Sequence, residues 1–218
     1  MDSRDRRVQH QKQLLLAWPG CSLICLTVQL PGPVKRSRES LIIGQAGLAE
    51  LLNKFGSVLR HVHVRDLETG YEAYLVVPMK AREVKRICCK IEDTHPLGRL
   101  MDIDVFDEIS PLASLGRDDR KESDLDDRKE SDLDDRKEFD LDYRKGSDLD
   151  YRKEFDLDDN TVISSVVEKS PLSRADIGLP ARQCLLCGNE ARYCMRAKTH
   201  STEELLDKIS QMVLAYCG

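Results

Sequence analysis

The apolar positions along this chain change period several times, and each change marks an element. In "HPLGRLMDIDVF", residues 95–106, hydrophobic and polar residues alternate from Met101 onward, the period of a strand whose two faces meet different surroundings. Leu100–Phe106 is therefore predicted as a strand. Met101, Ile103 and Val105 share a face fit for burial, and Asp102 and Asp104 project together from the other. Ser22–Leu30 (SLICLTVQL) is a second strand, closed by the turn residues "PGPVK". Ser37–Phe55 carries Leu41, Leu48, Leu51, Leu52 and Phe55 at helical spacing. Leu59–Arg65 and Tyr71–Val77 flank "LETG" and read as a hairpin. Asp5–Leu16 is a short helix broken by Pro19-Gly20, Ala81–Lys85 a helical turn, and Arg86–Ile91 a further strand. The sum is α+β: a mixed, largely antiparallel sheet with helices packed on it, plus a Cys-rich C-terminal helical segment.

Residues 118–157 break this pattern. They are five tandem octapeptides, running from DDRKESDL to DYRKEFDL, with one Leu per copy and an occasional Phe or Tyr. On a helix a period of eight turns the Leu by about 80° per copy, so no apolar stripe forms. Pairs such as Arg120 and Asp124 at i,i+4 would support a solvated helix by a few tenths of a kcal/mol each; disorder fits the composition equally. Neither builds a core. Residues 110–169 are thus a low-complexity loop inserted into a single domain made of residues 1–109 and 170–218, where a long surface insertion costs little closure entropy.

The repeat also distorts the charge. It carries a formal −7 against −5 for the whole chain, so the remainder is slightly basic, compatible with an anionic ligand; no nucleic-acid partner is expected. The basic N-terminus followed by "LLLAW" partly imitates a signal peptide, but Pro19-Gly20 interrupts the apolar run and no small-residue cleavage site follows. No stretch approaches the ~20 apolar residues that a membrane span needs. A cytoplasmic protein with reduced thiols and no membrane partner is the expectation.

Candidate chemistry gathers at a few places. Two carboxylates on one strand face repel unless something positive lies between them, and Mg2+, with its oxygen preference, suits Asp102 and Asp104. An amphipathic strand with a solvated face accounts for the same spacing. Cys21, Cys25, Cys88, Cys89 and Cys217 read as core or incidental. Cys184, Cys187 and Cys194, with His200, stand in "CLLCGNEARYCMRAKTH" and offer four ligands for one tetrahedral Zn2+; the spacing departs from known fingers, and a plain thiol cluster fits too. "RHVHVRD" puts His61, His63 and Arg65 on one strand face, a pattern commoner in solvated strands than in metal sites. His95, entering the aspartate strand, is a candidate general base or phosphate contact. Walker-type loops, GxGxxG and GxSxG are absent from the sequence.

"SRDRR" at residues 3–7, "LTVQLPGPVK", "HPLGRLMDIDV", "SRADIGLPARQCLLC" and "CMRAKTH" follow one another in this order. In this order and character the chain resembles the citrate lyase holo-acyl-carrier-protein synthases, or apo-citrate lyase phosphoribosyl-dephospho-CoA transferases. The resemblance covers nearly everything except residues 110–170. It implies transfer of the phosphoribosyl-dephospho-CoA part of 2'-(5''-triphosphoribosyl)-3'-dephospho-CoA to a serine of the acyl-carrier (gamma) subunit of citrate lyase, with release of pyrophosphate. Under that resemblance Asp102 and Asp104 become Mg2+ ligands, with Asp176 a candidate third. Arg4, Arg7, Lys35, Arg99 and Arg174 become candidates for the triphosphate, because a guanidinium fork matches phosphate oxygens. His95 keeps its two candidate roles. The alternative class is a non-catalytic, zinc-stabilised binding module that uses the acidic repeat as its interaction element.

Overall fold

A computed structural model describes residues 3–108 and 170–218, all within one compact unit. The inserted loop assigned to residues 110–169, with its octapeptides, lies outside the described residues. The elements run α1 (Ser3–Ala17), β1 (Ser22–Val28), α2 (Arg38–Phe55), β2 (His61–Leu67), β3 (Gly70–Val77), α3 (Ala81–Thr94), β4 (Met101–Phe106), α4 (Ala191–Ala197) and α5 (Thr202–Cys217). Single 3-10 turns at Gly98–Leu100 and Ala175–Ile177 precede β4 and α4. The strands form one sheet in the order β2-β3-β1-β4, and every pairing is antiparallel. This is the α+β class expected from the periodicities.

Alternation along the strands divides the core in two. Ile24, Leu26, Ala73, Leu75, Ile103 and Val105 face α2, α3 and α5 in the larger cluster. Leu23, Cys25, Tyr74, Val76 and Phe106 face the other way, where Leu14 and Leu15 of α1 cover them. Both faces of the sheet are thus helix-covered, which is why β1 and β3 read as apolar runs. Ser37 caps α2 by accepting from the Ser40 N–H at 3.2 Å. Gly44 of α2 lies against the Tyr71 ring, so close that a Cβ there would collide with it; glycine is what lets helix and sheet meet at this point.

Residues 81–94 differ from expectation. A helical turn followed by a strand at Arg86–Ile91 is replaced by one helix, α3. Ala81, Val84, Cys88 and Ile91 fall on one helical stripe, and all four are buried. A strand would have sent Cys88 and Cys89 to opposite faces; both thiols are fully buried in the helix. Lys85 and Glu92 interrupt the stripe, yet they too are buried. Their partners, on β4, explain why.

Candidate active site

Strand register assembles the site. Asp104, Cys25, Tyr74 and His63 form one row across the sheet, and Asp102, Thr27, Glu72 and Arg65 form the next. Directly opposed residues share a face, so both aspartates lie on the α1 side while Met101, Ile103 and Val105 are fully buried beneath.

Helix α1 is fastened to these rows by polar contacts. Arg7 donates Nε and Nη2 to Oε1 of Glu72 at 2.9 and 2.5 Å, and the Tyr74 hydroxyl donates to Glu72 Oε2 at 2.7 Å. Glu72 is buried, and a buried carboxylate is tolerable only when so matched. Gln11 donates to the Cys25 thiol at 3.6 Å, and His10 Nε2 lies 3.0 Å from His63 Nδ1.

β4 is an edge strand, and its outward backbone groups need partners. Glu92 Oε1 accepts from the Ile103 N–H at 3.0 Å, and Lys85 Nζ donates to the Ile103 carbonyl at 2.7 Å. Leu172 N–H reaches the Val105 carbonyl at 2.8 Å, and Arg182 Nη1 reaches the Met101 carbonyl at 3.1 Å. The buried charges of α3 therefore seal the aspartate strand. Glu92 in turn is held between Arg182 and Arg174, and Arg182 Nη2 lies 3.4 Å from Asp102 Oδ1.

The two aspartates are not equivalent. Burial, then the neighbouring Asp102 charge, raises the pKa of Asp104 above the usual carboxylate range, while Lys85, Arg182 and Arg7 act in the opposite sense. Among the described residues no hydrogen bond or ion pair reaches the Asp104 carboxylate. Asp102 has Arg182; Asp104 stands beside it unmatched.

Farther along the chain, the Cys184, Cys187 and Cys194 sulfurs and a ring nitrogen of His200 come within 4.8 Å of one another. Among the described residues no helix is long and apolar enough to cross a membrane.

The sequence profile of one family, apo-citrate lyase phosphoribosyl-dephospho-CoA transferase (CitX), matches residues 1–129 and 150–216. This chain belongs to that family. It is 30% identical over 200 residues to a probable apo-citrate lyase phosphoribosyl-dephospho-CoA transferase of Vibrio cholerae, covering 89% of this chain and 78% of that one. It is 28% identical to the Escherichia coli O1:K1 protein of that name, covering 97% and 84%. A Streptococcus pyogenes relative, again a probable transferase by name, is 26% identical, covering 98% and 83%. A family of transferase enzymes, rather than a non-catalytic binding module, is therefore where the chain stands.

Within this transferase the basic candidates divide by their pairing. Arg7 is engaged by Glu72, and Arg174 by Glu92 at 3.2 Å, Asp93 at 2.6 Å and the Pro180 carbonyl at 3.0 Å. Lys35 Nζ donates to the Leu30 carbonyl. Arg99 follows Gly98, whose Cα packs so near the end of α3 that a Cβ would lie 2.5 Å from the Glu92 carbonyl oxygen; the Arg99 Nε is buried without a partner among the described residues. Arg4, one turn before Arg7 on α1, is exposed. His95 caps the C-terminus of α3, and its Nδ1 accepts from the Leu97 N–H at 3.1 Å. Burial lowers its pKa, so the ring is neutral near pH 7 and carries its proton on Nε2. Asp176 does not gather with Asp102 and Asp104: its Oδ2 accepts from the Ser173 N–H and hydroxyl, both at 2.7 Å. Arg182, Glu92, Lys85 and Glu72 were not singled out from the sequence. "ARQC" gave one cue, an arginine two residues ahead of the first clustered cysteine.

Proposed function

We propose that the protein transfers the phosphoribosyl-dephospho-CoA group from 2'-(5''-triphosphoribosyl)-3'-dephospho-CoA to a serine of the apo citrate lyase acyl-carrier (gamma) subunit, with release of pyrophosphate. The observation that carries this reading is the pair Asp102 and Asp104 on the α1 side of β4, with Arg182 beside it, in a chain that matches the family along nearly its whole length. In this reaction the serine oxygen forms a bond to the α-phosphorus as the bond to pyrophosphate breaks, and the serine hydroxyl proton leaves to solvent or to the departing pyrophosphate. Negative charge must be held on both sides of the reacting phosphorus.

Asp102 and Asp104 fit a Mg2+ site: they share a face, Asp104 has no hydrogen bond or ion pair among the described residues, and their repulsion would be relieved by a cation. Bound there, Mg2+ would neutralise charge on the phosphate oxygens and on the departing pyrophosphate. The chain itself supplies the rest. Arg4 and Arg99, free of ion pairs among the described residues, receive phosphate oxygens, and Lys35 and Arg7 add positive charge. Arg99, His95, Lys35 and Asp102 sit in or beside the connections at the end of the sheet where β1 leaves and β4 begins; the Gln29 N–H to Leu100 carbonyl bond, 2.9 Å, ties two of these connections together. His95 presents an N–H, a donor to phosphate rather than a base. Arg174, with every face committed, holds Glu92 instead of substrate. The setting is the cytoplasm, which suits eight unpaired cysteines.

The test is to mix the purified protein with apo acyl carrier and triphosphoribosyl-dephospho-CoA. The expected result is pyrophosphate release matched by the mass gain of one prosthetic group on a carrier serine. No mass gain across a range of Mg2+ concentrations would refute the proposal.

A further inference from the structure

Between Gly178 and His200, Cys194 is the only buried residue, although the chain there folds into a hairpin and a helix. The hairpin is closed by Cys184 N–H to the Asn189 carbonyl at 2.7 Å and Ala191 N–H to the Arg182 carbonyl at 2.8 Å, with Gln183 paired to Glu190. Helix α4 has seven residues, too short to be stable on propensity alone. Leu185 packs against the larger core, but one partly buried leucine is little apolar burial for a segment of this length. Arg182 ties its start to β4 and α3, which leaves the tip of the hairpin and α4 to be held by other means.

All four donors of the segment turn inward on one point. Cys187 Sγ lies 3.5 Å from Cys194 Sγ, and His200 Nε2 lies 3.3 Å from Cys187 Sγ. The Thr199 N–H donates to the Cys194 carbonyl at 3.1 Å, which ties the end of α4 to the cluster. Lys198, in the left-handed conformation at φ 49°, ends α4 and turns the chain so that His200 comes back to the cysteines. A disulfide would occupy two thiols and leave the third and the imidazole with no purpose in the convergence. One ion uses all four.

We propose that Cys184, Cys187, Cys194 and His200 bind one structural Zn2+, which crosslinks the hairpin to α4 and so holds Arg182 in place against β4. Three thiolates and one imidazole are a closed tetrahedral set for zinc, with no position left for substrate. Each thiol that binds gives up its proton. The link to the active site is short: Arg182 lies two residues before Cys184, and it reaches the Met101 carbonyl, Glu92 and Asp102. The metal is a positioning device for that arginine. Zinc at these four residues is independent of the transferase reaction.

The full-length protein, purified under reducing conditions without chelator, should contain about one equivalent of zinc by elemental analysis. Removal of zinc followed by Co2+ addition should give the intense visible bands of tetrahedral cobalt and a thiolate-to-cobalt charge-transfer band. Cys187→Ser should lose most of the zinc and alter the cobalt spectrum; Cys217→Ser, at an exposed cysteine outside the cluster, should change neither. Wild-type protein with fully reduced thiols that holds no zinc and gives only octahedral cobalt spectra would overturn the proposal. So would full zinc retention in a folded Cys187→Ser variant.

Discussion

Arg182 Nη2 stands 3.4 Å from Asp102 Oδ1, joining the segment after the inserted loop to the aspartate strand before it. The same guanidinium pairs with Glu92 and donates to the Met101 carbonyl. One side chain therefore neutralises half of the carboxylate pair, matches a buried glutamate and caps an edge strand.

Truncating it should be costly in a particular way. Arg182→Ala leaves Glu92 with Arg174 as its only ion-pair partner among the described residues and leaves the Met101 carbonyl without its donor, which should destabilise the protein by about 1–3 kcal/mol. Glu92→Gln in the same background should recover part of that loss, because the uncompensated charge is gone. Urea unfolding of the two single variants and the double variant measures the coupling. Strictly additive losses would show that the pair does not interact.

Asp104 gives a pH signature. Its folded pKa is raised, chiefly by burial and then by Asp102. The stability it contributes is fully present below the unfolded carboxyl value of about 3.9 and is lost as pH rises through the folded value. In chelator-treated protein, Asp104→Asn should therefore be more stable than wild type at pH 7, with the difference closing as pH falls toward 4. Melting curves across that range check it; an Asn variant less stable at pH 7 would contradict the assignment of strain to this carboxylate.

His10 acts with the opposite sign. Burial, followed by the charges of His63, Arg65 and His61, pushes its pKa down to about 4, with Glu72 opposing. The folded value is depressed, so its contribution is present above about pH 6.5 and is lost as pH falls toward 4. Acidification should loosen α1 from the sheet, and His10→Gln should flatten that part of the pH profile. Trp18, the single tryptophan, follows α1 and stacks on His61 with centroids 6.1 Å apart, so its fluorescence reports the change.

The elements whose period is unbroken were readable from sequence: β4 with its alternating aspartates, α2 with its leucines, and the hairpin of β2 and β3. Helix α3 was not. Lys85 and Glu92 stand on its buried side because they satisfy the backbone of Ile103, and two charges inside a 14-residue helix conceal its stripe. The short run "RICCKI" on its own then imitates a strand. In the site, Asp102, Asp104 and the cysteine cluster were visible because their spacing is local. Arg182 was not, since its partners lie about 80 to 90 residues away in sequence and its place two residues ahead of Cys184 was the single local cue.

The octapeptides give a further expectation from composition. The family match passes over residues 130–149, within the repeat, and one Leu per eight residues supplies little apolar area. Deleting residues 118–157 should leave unfolding cooperative and stability within about 1 kcal/mol of the parent. A deletion protein that fails to fold would show that the repeat is structural.

The role of the aspartate pair is tested most sharply by transfer with Asp102→Asn and Asp104→Asn, followed as mass gain on the apo acyl carrier at varied Mg2+. Each change is near-isosteric on a face away from the larger core, so the fold should persist, whereas Ile103→Asn on the fully buried face should unfold the protein. Both aspartate variants should lose roughly a hundredfold or more in transfer rate, with a raised Mg2+ requirement in any residual activity. Near wild-type rates at low Mg2+ from both folded variants would contradict that role, leaving Asp102 and Asp104 as no more than a polar strand face.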